Sequence, residues 1–163
     1  MSKQYQNSTG WWAISAASII IILFIVARSG KSTSSKTNRE VALMCTTDMA
    51  TQFHIHPHLE IVINGQGQEI PANIGIAFSC MNALHTHDNS GTIHVESPEK
   101  RDFTLSDFFA VWNKPFAKDQ ILYAKVDGSH IIKVMVDGKD VDTFENTVLR
   151  DNQQIVISYE QMK

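Results

Sequence analysis

Six of the seven histidines lie between positions 54 and 94, and they come in pairs. His54 and His56 stand two apart in FHIHPHL, with His58 following after Pro57. His85 and His87 repeat the spacing in LHTHD, and His94 follows in GTIHVES. In an extended strand, residues i and i+2 point to the same face, so each His-x-His pair presents two imidazoles to one ion. Two such pairs on neighbouring strands supply three or four nitrogen donors, which suits a transition metal, copper or zinc above others. His54, His56, His85 and His87 are the expected ligands, with His94 or His58 completing the set. Asp88, Glu96 and Glu60 are close enough in sequence to orient a ligand imidazole by hydrogen bonding, or to join as ligands. His130, in Gly-Ser-His, reads as an exposed turn residue.

Two cysteines, Cys45 and Cys80, flank the first histidine group. Their even count and wide spacing, without a C-x-x-C, favour a disulfide formed in an oxidising compartment. In a reducing compartment they would be thiols or soft ligands for Cu(I) or zinc. Met44, Met49 and Met81 are near them in sequence; packing is the commoner use of methionine, and thioether ligation of copper the rarer one. No G-x-S-x-G nucleophile motif is present, and under the rival enzyme reading acid–base chemistry would fall to His85 with Asp88.

The elements that position these residues read as strands. Gln52–Ile63 ends at Asn64-Gly65, a hairpin signal because both residues tolerate positive φ. Thr92–Glu96, Gln120–Val126, Ile131–Val136 and Gln154–Tyr159 are further strands, and Asp137-Gly138 marks a second hairpin turn. One helix interrupts them: Thr104 caps it with Asp107 three residues on, Leu105, Phe108, Phe109 and Trp112 share a face, and Pro115 ends it. That aromatic stripe is core packing. Ile61–Ile76 also aligns weakly with Val134–Leu149, matching the turns and pairing Asn73 with Asn146, as any two hairpins might be laid together. The expected fold is therefore mainly β (α+β): a compact β-sheet or barrel-like domain with one packed helix.

The N-terminal quarter differs. Trp11–Ala27 is seventeen residues without a charge, spanning about 25 Å as a helix, enough for a single transmembrane anchor. Residues 1–10 form a tail, and residues 28–43 a basic Ser/Thr-rich tether, leaving 44–163 as the domain. The tether's Arg28, Lys31, Lys36 and Arg39 favour a cytoplasmic domain by the positive-inside rule, while the cysteine pair favours the opposite side. From Val41 onward there are 9 basic and 16 acidic residues, against a whole-chain net charge of -3. An acidic domain without a basic stripe argues against nucleic acid and suits a cation.

Two resemblances follow from these strings. FHIHPHLEIVINGQGQEIPANIGI, then LHTHDNSGTIHVESP and FTLSDFFAVW, resembles a group of small membrane-anchored or exported bacterial and archaeal proteins, over about residues 45 to 116. That likeness implies an exported histidine-rich domain and brings no activity. His54, His56, Glu60 and Gly67 also match part of the cupin metal motif, although Asp48 stands where its opening glycine should be and no second motif follows. A cupin-like site would place His54, His56, Glu60 and a later histidine on one metal with an open position. The sequence thus points to a membrane-anchored, extracytoplasmic metal-binding protein for sensing, storage or delivery. Its rivals are a cupin-like mononuclear metalloenzyme and an interaction module that uses no metal.

Overall fold

A computed structural model describes residues 35–47 and 51–162. The expected tail, the anchor and residues 28–34 of the tether, together with Asp48 and Met49, lie outside the described residues. Among the described residues, no helix is long and apolar enough to cross a membrane.

The described chain is mainly β, with two helices and a 3-10 turn. Its strands are β1 (Phe53–Ile55), β2 (His58–Ile63), β3 (Gln66–Gln68), β4 (Leu84–His85) and β5 (His94–Ser97). After a helix come β6 (Phe116–Ala117), β7 (Gln120–Ile121), β8 (Ala124–Lys125), β9 (His130–Val136), β10 (Lys139–Val141) and β11 (Gln154–Gln161). The helices are α1 (Asn38–Leu43) and α2 (Leu105–Trp112). The strands form three sheets, ordered β1-β5-β4, β10-β9-β11-β2-β3 and β6-β7-β8. Among the described residues each sheet is an open series, so of the expected β-sheet or barrel-like forms the chain shows the sheets.

The five-stranded sheet is the largest body of the core. β11 runs down its centre, parallel to β2 and antiparallel to β9. Alternation in β2 and β11 sends Leu59, Ile61, Ile63, Ile155, Ile157 and Tyr159 to the buried face. Both hairpin turns form as expected: Asn64 and Gly65 take φ of 51° and 77°, Asp137 and Gly138 50° and 77°. Positive φ at both central residues matches the right-handed twist of the flanking strands. The two similar hairpins, β2-β3 and β9-β10, therefore flank β11 on opposite sides. The correspondence stops there, because Asn73 has a φ of 63° while Asn146 ends a 3-10 turn without positive φ.

Four readings need adjusting. Gln52–Ile63 is two strands in different sheets, since Pro57 has no N–H to donate to a ladder. Gln120–Val126 likewise folds back on itself, with Leu122 at a φ of 51° between β7 and β8. The helix is closed by Asn113, whose φ of 56° is the left-handed cap, before Pro115 is reached. Residues 38–43, read as part of the tether, form α1, which buries Val41 and Ala42. Thr37 and Glu40 cap α1 reciprocally, and Arg39 Nε reaches Asp107 Oδ1 at 2.8 Å. Asp107 also accepts from the Thr104 N–H at 3.0 Å, so one nearly buried carboxylate joins the two helices. Cys45 and Cys80 form the disulfide the sequence favoured.

Candidate metal centre

The small sheet β1-β5-β4 carries the histidines. β5 is its middle strand, pairing Phe53 with Ser97, His54 with Glu96 and Ile55 with Val95 on one side. On the other side it pairs Leu84 with Val95 and His85 with His94. Directly paired residues share a face. Ile55, Leu84, Val95 and Ser97 are buried on the core face, so His54, His85, His94 and Glu96 stand together on the other. His56 and His87, each two residues on, extend the same row.

The imidazoles converge on His94. Its ring centroid lies 4.7 Å from that of His56, 5.9 Å from His54, 4.5 Å from His87 and 5.4 Å from His85. The rings of His54 and His56 are 4.3 Å apart, and those of His85 and His87 4.9 Å. Two donor sets result, His54 with His56 and His94, and His85 with His87 and His94. Within each set the ligand atoms lie within 4.8 Å of one another. Donors on one tetrahedral ion with bonds near 2.0–2.1 Å sit about 3.3 Å apart, so small rotamer changes would close either set.

Hydrogen bonds fix which nitrogen is free. His85 is fully buried, and its Nδ1 lies 3.1 Å from the Asn82 carbonyl oxygen. A carbonyl only accepts, so Nδ1 carries the proton and Nε2 is left with a lone pair. That Nε2 is buried and has no hydrogen-bond partner. An orphaned buried acceptor costs about 1–3 kcal/mol, which a metal bond would offset. Burial pushes the His85 pKa down to about 4, against a smaller upward pull from the Asn82 hydrogen bond. His94 is lowered too, by burial first and then by neighbouring His87, His56 and His54. Both imidazoles are therefore held in the neutral, metal-binding form.

On the opposite side, His54 Nε2 is 3.0 Å from Glu96 Oε1, and Thr51 donates to the other Glu96 oxygen at 3.3 Å. A carboxylate cannot donate, so Glu96 fixes the proton on Nε2 and leaves His54 Nδ1 as the donor atom. The carboxylate itself belongs to neither donor set. Asp151 is the neighbour the sequence did not reveal. Its Oδ1 accepts from the His56 N–H at 2.9 Å and lies 3.8 Å from His56 Nδ1. Ninety-five positions separate the two residues, and no local pattern could announce the contact. The Asn82 carbonyl is equally silent in sequence, because every residue has one.

Five of the six expected ligands thus come together, and His58 does not. Beyond Pro57 the chain enters the five-stranded sheet, and His58 lines a depression of about 240 Å³ with Glu60, Gln68, Glu69, Asn89, Ser90 and Gly91. Glu60 shares that depression, so the partial cupin match is not a shared site with His54 and His56. Asp88 turns into its own loop, accepting from the Ser90 N–H at 2.9 Å; hydrogen bonds from Ser90 hold its carboxyl below the usual range. His130 is part-buried, stacked on Tyr159 at 4.9 Å and bound to Asp127 rather than free in solvent. A separate groove of about 510 Å³, lined by Trp112, Leu122 and Tyr123 among others, contains no histidine.

Comparison with known proteins leaves this geometry to stand alone: the chain matches no family model, no curated protein and no solved structure.

Proposed function

We propose that the protein binds a transition-metal ion, copper or zinc, through His85, His87 and His94 at a membrane surface. The observation that carries the reading is the buried, unpartnered Nε2 of His85 beside two further imidazoles. Most buried side-chain polar atoms have a hydrogen-bond partner. Imidazole donors without a carboxylate suit copper and zinc better than calcium or magnesium. Three protein ligands leave a position for water or for a transferring ligand, which suits acquisition and delivery. The uncharged Trp11–Ala27 segment supports an anchor, and the Cys45–Cys80 disulfide supports the extracytoplasmic side.

The test is metal content. The full-length chain is loaded with excess Cu(II) or Zn(II), desalted and assayed by plasma mass spectrometry beside the variant H85A/H87A. The wild-type chain is expected to retain metal and the variant to lose at least the ion on this side. Failure of the wild-type chain to retain either metal would refute the proposal.

A further inference from the structure

Resting on that metal-binding reading, we propose that the site is dinuclear, with the His94 imidazole standing between two ions. One ion is held by His85 and His87, the other by His54 and His56. The two sets share His94 and nothing else. Every ring contact between the two pairs runs through His94; none joins His54 or His56 directly to His85 or His87.

Strand order keeps the two pairs on separate sides, and no donor set joins a nitrogen of one pair to a nitrogen of the other. β1 and β4 lie on opposite sides of β5, and neighbouring strands are about 4.8 Å apart, which puts the two pairs' backbones roughly 10 Å apart. The middle strand, by contrast, places His94 beside both pairs. An imidazole has two ring nitrogens, and ions bound to each would sit about 6 Å apart, given bonds near 2 Å.

The tautomers fit this division. On the buried side Asn82 leaves His85 Nε2 free, and on the exposed side Glu96 leaves His54 Nδ1 free. Each flanking pair therefore has one donor fixed by a partner outside the metal. When the second ion binds, His94 gives up its remaining N–H proton to solvent and becomes an imidazolate with a lone pair for each metal. No oxidation or reduction is involved. The two positions differ in exposure: His85 is fully buried, whereas the His54 side chain is 42% exposed.

The test titrates Cu(II) into the full-length chain, measuring retained copper and the electron paramagnetic resonance spectrum together. The expected result is two copper ions per chain, with the isolated-ion signal falling by more than half as the second ion couples through His94. H54A/H56A, which changes two surface side chains, is expected to retain one ion with a full isolated-ion signal. Retention of one ion by the wild-type chain overturns the dinuclear site and leaves the metal-binding reading intact. Two ions with undiminished, uncoupled signals overturn the shared imidazole. No retained copper or zinc overturns both readings.

Discussion

His85 concentrates the conflict between folding and function. Its ring is fully buried, one nitrogen is satisfied by Asn82, and the other is left without a partner. Its pKa of about 4 lies below the usual 6.5, so the unfolded chain binds a proton here that the folded chain refuses. This makes stability fall as pH drops from about 6.5 toward 4, with no loss from this group above that window. At about 1.4 kcal/mol per unit, the contribution reaches at most about 3 kcal/mol. Urea melts of the metal-free chain at pH 7 and pH 4.5 should show the drop, and H85L should flatten it. Bound metal should leave over the same acid range as protons compete for the imidazoles, readable by dialysis at stepped pH. Glu96 acts at this scale too, because it fixes the His54 tautomer. Glu96→Ala should weaken the ion held by His54 and His56 about tenfold, as lost orienting contacts do elsewhere. A copper titration against a competing chelator would measure it, with the ion on His85 and His87 unaffected.

At the scale of elements, the centre depends on how tightly its loops are held. The loop carrying His87 returns to β5 through Gly91, whose φ is 90° and whose carbonyl accepts from the Leu59 N–H at 2.9 Å. A Cβ added there would collide with the Leu59 carbonyl oxygen, so packing and backbone conformation both demand glycine. Gly65, at the β2-β3 turn, has φ of 77° but open space around it. Gly91→Ala should therefore cost more than about 2 kcal/mol, while Gly65→Ala costs about 1 kcal/mol for the left-handed conformation alone. Denaturant melts of the two variants give the comparison, and Gly91→Ala should also lower metal retention by displacing His87. Much of this scale was legible. The Asx-Gly turns, the helix from Leu105 and the strand Gln154–Tyr159 follow from local chemistry and form as expected. The break at Pro57 was missed because the alternation runs through it from Gln52 to Ile63, whereas the chain there passes from one sheet to another.

Over the whole molecule, the disulfide ties the chain after α1 to the segment before β4 across 35 positions. Its loop-closure entropy is worth about 3–4 kcal/mol. Reduction should lower the unfolding free energy by that order, measured by guanidinium melts with and without reductant. The tie bears on the metal centre, because Asn82, two residues beyond Cys80, supplies the carbonyl that orients His85. A reduced chain should hold the ion on His85 and His87 more weakly, which a chelator competition would detect.

The sequence by itself determined that this is a mainly β domain whose histidines come in strand-spaced pairs. Period-two alternation, Asx-Gly turns and His-x-His spacing are local properties, written wherever the residues are adjacent. It also suggested the cysteine pairing, since only two are present. Only the tertiary structure decided which histidines meet. His56 and His58 have the same spacing as His54 and His56, yet the sheet boundary at Pro57 keeps His58 away from the other five. The place of His94 between the two pairs comes from the order β1-β5-β4, which no spacing along the chain encodes. Strand order is set by which apolar faces bury together, and that is a property of the whole core.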